Sequence, residues 1–285
     1  ICAEIENGKR FYYNPVSSKL KPSLNTQEIK QTSQNIHFRA YTGTSANPNF
    51  ENTLYIRTLT KKAVTKPLYS SSTKKMEEKP KLALVFDAYD NADGLPKIIS
   101  SLNKFKIPGT FFINGEFIRR YPSQTKQIAM NNFECGSMFF TITDFSDSTF
   151  VVDKEFISRG LGRNEDEFFM CTGKELSLFW HTPYYEKTPQ IEEAGKDAGY
   201  QYVQSRHIHS DNVTLKQMQE GKDYINVSQL IEEYVDLMKA TGGGVIPVTI
   251  GISQGGRPEN LWEHIDLLIN TLLEENFSLV PVSSL

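Results

Sequence analysis

The run LALVFD, residues 82–87, is apolar until it stops at a carboxylate. A run without alternation predicts a strand buried on both faces, as in a parallel sheet flanked by helices. The C-terminal ends of such strands are where α/β folds carry their chemistry. Asp87 could therefore act as a general base, the competing reading being a turn or capping aspartate before the next helix. A second set is His207, His209 and Asp211 in SRHIHSD. On a strand, residues two apart share a face, and two imidazoles with a carboxylate could bind zinc. Exposed strand-end histidines are the commoner outcome of that spacing. The three cysteines, Cys2, Cys135 and Cys171, have no CxxC spacing and are odd in number, so they read as structural thiols.

These residues need elements to hold them. Residues 1 to about 70 contain short runs such as KRFYYNP, NIHFRAYTG and NTLYIRTLT, separated by Asn, Ser, Gly and Pro, which is strand-and-turn composition. The polar segment YSSSTKKMEEKPK, residues 69–81, reads as a linker. It sets a boundary near residue 76, giving a β-rich domain with linker over 1–76 and a second domain over 77–285. In the second, seven short apolar runs alternate with helical patterns, from LALVFDAY through GTFFING, ECGSMFF, ELSLFWHTP, YVQSRHIH and GVIPVTIGI to FSLVPVSSL. This predicts βαβ units with right-handed crossovers and a parallel sheet or irregular barrel. The charge run GRNEDEFF, residues 162–169, reads as a solvated helix face. The glycine-rich stretches at 241–244 and 251–260 lack phosphate-loop spacing and read as turns. His264 reads as a surface or boundary residue.

With 31 Lys and Arg against 34 Asp and Glu, the formal charge is −3, which gives no broad electrostatic case for nucleic acid or an anionic membrane. No apolar run approaches the roughly 20 residues that span a bilayer. The chain opens at Ile1 with no charged segment followed by an apolar one, which reads as a processed or trimmed product.

Several segments resemble a known family. GTFFINGEFIRRYPSQTKQIAMNNFECGS is similar to the second strand, helix and third strand of the NodB-type polysaccharide deacetylases, carbohydrate esterase family four. WHTPYYEKTPQIEEAGKDAGYQYV is similar to that family's Arg-Pro-Pro-Tyr-Gly segment with its following helix, and FSLVPVSSL to its closing strand. The resemblance covers roughly residues 80–285. It implies an irregular (β/α)7 barrel of NodB type, here behind a small N-terminal β-rich domain. It also implies removal of acetyl groups from N-acetylated sugars by a divalent metal held by an Asp and two His, with a neighbouring Asp as base and a distant His as acid.

Against the family motif Thr-Phe-Asp-Asp-Gly the chain reads Val85-Phe86-Asp87-Ala88-Tyr89. The base position is kept and the ligand position is Ala88. The two histidines of the family's HxxxH motif match Met138 and Ile142, the acid matches Thr249, and the arginine that braces the base matches His181. A methyl group, a thioether and a branched alkyl chain are no ligand set for a hard or borderline cation. The reading is a deacetylase-like protein of carbohydrate metabolism at the cell envelope that has lost metal-dependent catalysis and binds saccharide or serves a structural role. Tyr89, Asp90, Phe140, Trp180, Tyr184 and Tyr185 are the candidate sugar contacts, since aromatic faces beside a few polar groups suit sugar rings; filling of the barrel mouth as core is the competing reading. The alternative is an active deacetylase with a rearranged site, in which Asp87 is base and His181 the acid or electrophile. A third is an adhesion or protein-interaction module carried by the β-rich domain. No cofactor is expected, with a divalent metal only in a rearranged site, for which Asp87, Asp90, Asp144 and His181 form a further cluster. The expected partner is an amino-sugar polysaccharide or oligosaccharide, and the expected location extracytoplasmic.

Overall fold

A computed structural model describes residues 2–4, 10–12, 36–43, 48–58, 79–146, 151–253 and 257–285. The chain divides into two compact units, Ile1–Thr65 and Lys66–Leu285. The expected boundary near 76 and most of the linker at 69–81 lie outside the described residues. In the first unit β1 (Cys2–Glu4) pairs antiparallel with β2 (Arg10–Tyr12), and β3 (Ile36–Gly43) pairs antiparallel with β4 (Pro48–Thr58).

The second unit is a curled sheet of seven strands, all joined in parallel. β5 (Lys81–Ala88) lies second from one end, followed toward the other end by β6 (Thr110–Ile113), β7 (Glu134–Ser137), β8 (Phe179–Trp180) and β9 (Gln201–Tyr202). On the other edge of β5 lies β10 (Gly244–Gly251), while the short closing strand β11 (Ser278–Leu279) pairs with β5 at Lys81 and Leu82. Among the described residues no ladder joins β9 to β10; there the Ser205 hydroxyl donates to the Val245 carbonyl at 3.3 Å. The predicted strands shorten most at three of the apolar runs: of YVQSRHIH only Tyr202 lies in β9, ELSLFWHTP keeps only Phe179 and Trp180, and FSLVPVSSL only Ser278 and Leu279.

Helices α1 (Leu95–Phe105), α2 (Gly115–Arg120), α3 (Pro122–Met130), α4 (Lys154–Thr172), α5 (Pro189–Asp197), α6 (Leu215–Gln219), α7 (Val227–Thr241) and α8 (Ile265–Glu274) fill the crossovers. Their ends follow local chemistry. The Asp153 carboxylate accepts the Phe156 N–H at 2.8 Å to start α4, and Gly173 stops it with φ of 71°. Asn226 and Gln229 form a capping box on α7.

Strand alternation decides which side chains meet. On β5, Leu82, Leu84, Phe86 and Ala88 pack under the helices with Phe111, Ile113, Ile246, Val248 and Ile250. Ala83, Val85 and Tyr89 face the concave interior with Phe112, Met138, Val203, Val245 and Val282. Asp87 is on that second face. A third cluster, under α4 and α5, holds Phe139, Trp180, Tyr200 and Tyr202. The charge run of α4 is not the solvated face expected. The 3.6-residue period puts Asn164 and Glu165 on the stripe of Ile157, Leu161 and Phe168, and all five are buried. There the Asn164 amide donates to the Ile113 carbonyl at 2.8 Å and the Ser137 hydroxyl at 2.7 Å, and the Tyr200 hydroxyl donates to Glu165 at 3.0 Å.

Candidate functional site

At the C-terminal end of β5, Asp87 is flanked by Thr249 of β10 and Phe112 of β6. Asp87 is 1% exposed and His181, just past β8, is 0% exposed. His181 Nδ1 lies 2.8 Å from the Thr182 carbonyl oxygen, which can only accept, so that nitrogen bears a proton. His181 Nε2 lies 3.2 Å from Asp87 Oδ1, and the Tyr185 hydroxyl donates to the same oxygen at 3.3 Å. Assigned from these partners, one proton bridges imidazole and carboxyl, which gives the buried acid its compensating group. The imidazole is itself packed, with Tyr185 stacked on it at 4.1 Å and Phe112 edge-on at 4.4 Å.

Two tyrosines cover the pair. Tyr89 stands where the resembling motif has glycine; its ring is buried, and its hydroxyl donates to the Pro183 carbonyl and accepts from the Asn212 amide at 3.3 Å. Tyr185 stands at the glycine of the Arg-Pro-Pro-Tyr-Gly segment. It keeps the left-handed backbone such a glycine adopts, with φ of 59°, at a residue that carries a bulky ring. Burial, then the nearby Asp87, pushes both phenols well above the usual tyrosine range, so both are neutral hydrogen-bond donors.

The remaining sequence-predicted residues divide. Tyr184 is 44% exposed and stands 6.1 Å from Tyr89, at the rim. Asp90 ties that rim to the loop after β10, accepting the Ser253 N–H at 2.9 Å, with Arg120 at 3.7 Å. Trp180 is not at the mouth. Phe179 and His181 point inward, so alternation sends Trp180 to the helix side, fully buried against Gly195 of α5 and 5.2 Å from Tyr202. Phe140 lies at the helical side too, with the Arg163 guanidinium over its ring at 3.9 Å and that of Arg119 at 5.0 Å.

The zinc triad suggested for His207, His209 and Asp211 does not assemble, because residues 203–209 are not a strand and share no face. His207 Nδ1 meets the Ser205 hydroxyl at 2.7 Å, and burial holds its pKa below the usual histidine value. His209 pairs with Glu233 at 2.5 Å; burial alone would raise the Glu233 pKa, but hydrogen bonds from His209 outweigh it and lower it. Asp211 accepts the Thr249 N–H and hydroxyl, each at 2.6 Å, and burial raises its pKa to about 6. Nor do Asp90 and Asp144 join Asp87 and His181: Asp90 binds Ser253, and Asp144 accepts from Ser146 at 2.8 Å.

The donor set does not fit a divalent cation. Of the three positions at which the resemblance implies ligands, Ala88 packs in the helix-side cluster, Met138 is fully buried in the interior cluster, and Ile142 packs against it. Among the described residues no three His, Cys, Asp or Glu side chains converge on a point. Sequence reading missed three participants: Asn212, the Asp211–Thr249 bond, and Glu186, whose pKa burial and then Asp144 raise to about 7. A signal did exist for the two tyrosines, a large side chain at each motif glycine.

Comparison with known proteins agrees with the fold. Residues 74–203 match the family model described as polysaccharide deacetylase. Among curated proteins, a 121-residue stretch is 28% identical to the peptidoglycan-N-acetylmuramic acid deacetylase PdaA of Bacillus subtilis, covering 42% of this chain and 44% of that protein. The chain thus spans less than half the length of that relative. Among solved structures, a CE4 family pseudoenzyme from Bacillus anthracis superposes with a TM-score of 0.55 at 15% identity, over 73% of this chain and 65% of that one. The structure of Bacillus subtilis PdaA, a family 4 carbohydrate esterase, gives 0.54 at 19% identity, over 73% and 80%. At such identities the two superpositions speak for the fold alone. The family model and the relative make the second unit similar in sequence to polysaccharide deacetylases, and the shared barrel agrees with that in fold.

Proposed function

We propose that the second unit is a deacetylase-type barrel of carbohydrate metabolism at the cell envelope in which metal-dependent deacetylation has been lost, leaving saccharide binding or a structural role. The observation that carries this reading is the filling of the site. Asp87, at the position of the family's base, is buried beneath Tyr89 and Tyr185, and the positions implied for the metal offer no lone pairs suited to it. Catalysis needs a base within reach of the reacting atom and, in this family, a Lewis acid beside it. Retention of the sheet and of the exposed rim at Tyr184 supports a remaining role in contacting an amino-sugar polymer. Extracytoplasmic placement follows from the peptidoglycan named for the relative.

The purified chain, incubated with acetylated chito-oligosaccharides and zinc, cobalt or manganese, is expected to release no acetate above buffer. Acetate release that grows with protein concentration would overturn the reading. One observation favours a second reading, an active deacetylase with a rearranged site: Asp87 and His181 are in contact at 3.2 Å. In that reading substrate displaces Tyr185, and Asp87→Asn abolishes any acetate release; unchanged release in that variant would remove it.

A further inference from the structure

Beside the closed Asp87–His181 pair, at the C-terminal end of β10, lies a cavity with about 310 Å³ of empty space that opens to solvent. Ligand pockets run from about 300 to 1,000 Å³, so this one has room for a single small ring. Asp211, Asn212, Thr249, Arg257, Asn260 and Trp262 supply its chemistry.

The walls are held before anything binds. Both Asp211 oxygens accept from Thr249, each at 2.6 Å. The Arg257 guanidinium donates to the backbone carbonyls of Ser210 at 2.7 Å, Ile225 at 2.9 Å and Glu259 at 3.1 Å, and lies over the Tyr224 ring at 4.6 Å. Trp262 packs against Gly94, where a Cβ would come within 2.6 Å of its indole. Asn212 is the shared wall with the closed pair, because its amide donates to the Tyr89 hydroxyl at 3.3 Å. Walls fixed in advance cost a ligand little ordering on binding.

The mixture of groups matches a sugar ring, which carries hydroxyls that donate and accept and a C–H face that is apolar. Asp211 and the two asparagine carbonyls are acceptors, the asparagine amides and the remaining Arg257 N–H groups are donors, and the Trp262 indole is a flat apolar face. Charge narrows the choice. The partners of Arg257 are neutral carbonyls, and among the described residues it forms no ion pair, while the Asp211 carboxyl is turned onto Thr249. A ring bearing a positive charge meets the guanidinium without a free carboxylate to offset it.

We propose that this cavity, rather than the closed position over Asp87, is where the barrel holds saccharide: it takes one uncharged pyranose ring on Trp262 and discriminates against the cationic ring left when an amino sugar has lost its acetyl group. The inference rests on the saccharide-binding reading and gives that contact its place.

The cavity carries its own reporter. Trp180 is fully buried on the helix side, so of the two tryptophans only Trp262 lines the cavity. Tryptophan emission of the full chain is titrated at pH 6.5, where glucosamine is a cation, with N-acetylglucosamine, glucosamine and N,N′,N″-triacetylchitotriose, and isothermal calorimetry is run alongside. A saturable blue shift with N-acetylglucosamine is expected, with a Kd on the order of 1 mM. Glucosamine should bind about tenfold more weakly, and Asn260→Ala should weaken N-acetylglucosamine by about tenfold. If N260A does not fold, Trp262→Leu, followed by calorimetry, supplies the same comparison. Equal or tighter binding of glucosamine overturns the discrimination. Heat of binding without a change in emission and undiminished in N260A, or binding of the trisaccharide without the single ring, overturns the one-ring cavity and leaves the saccharide-binding reading standing. Absence of binding by all three sugars overturns both.

Discussion

Removing His181 should cost more than its own contacts, because it leaves the buried Asp87 carboxyl without the group that compensates it. With His181→Ala, Asp87 remains buried with the Tyr185 hydroxyl as the donor on its Oδ1. Breaking a buried pair from one side costs about 3–5 kcal/mol, and loss of the ring between Phe112 and Tyr185 adds about 1 kcal/mol. The expected destabilisation is therefore about 4–6 kcal/mol. Asp87→Asn keeps the side-chain shape and should cost about 1–3 kcal/mol. In the double variant no carboxylate is left uncompensated, so it should fall short of the sum of the single costs by about 2 kcal/mol or more. Urea unfolding followed by tryptophan fluorescence is the assay, because the two tryptophans, Trp180 and Trp262, both belong to the second unit. At about 2–4 °C per kcal/mol for a unit of this size, H181A should also lower Tm by about 8–24 °C. A cost below about 1 kcal/mol for H181A, or strict additivity in the double variant, would refute the assignment of His181 as the compensating group.

Three further outcomes are expected. A Cβ at Gly160 would come within 2.0 Å of the Phe139 ring and one at Gly195 within 2.3 Å of Trp180, so Gly160→Ala and Gly195→Ala should each cost about 1–3 kcal/mol in the same urea assay. Asp211 has its pKa raised from the ordinary aspartate value to about 6, so its contribution to stability is complete below the ordinary value and is lost as pH rises through about 6. Asp211→Asn should remove a pH dependence on the order of 2 kcal/mol between pH 4 and 7, seen in urea midpoints. Zinc, cobalt or manganese at 100 µM should leave Tm unchanged. A specific site of micromolar affinity would add about 2.7 kcal/mol at a hundredfold excess over Kd, a rise of several degrees that would contradict the donor-set argument.

What was legible in the sequence was what depends on local pattern. The apolar run ending at Asp87 announced both a strand buried on both faces and a carboxylate at its end, and the alternation of runs and helical segments announced the seven parallel strands. The partnership of Asp87 with His181 came from a motif resemblance, because two residues so far apart in sequence carry no local signal of contact. Failures arose where tertiary structure overrode pattern. Trp180 was read as a rim residue, but strand alternation turns it away from its neighbours Phe179 and His181. His207, His209 and Asp211 were given a common face by a strand that ends at Tyr202. Asn164 and Glu165 looked solvated because they are polar, yet each has a buried partner, in Ser137 and Tyr200. Glu186 had no signal at all, since its behaviour depends on Asp144 arriving from another loop.

The pairing of β5 also bears on how the chain is made. This strand is the first of the second unit to be synthesised, and its partners on both edges include the last ones, β10 and β11. Until they emerge from the ribosome, an almost wholly apolar segment has unpaired backbone along much of its length, the kind of exposed edge that recruits other chains. Loss of only the last eight residues would remove β11, the Val280 N–H bonded to Leu82 and the Val282 plug of the concave interior. Production of this protein is therefore expected to be sensitive to premature termination out of proportion to the number of residues lost, with truncated chains found in the insoluble fraction.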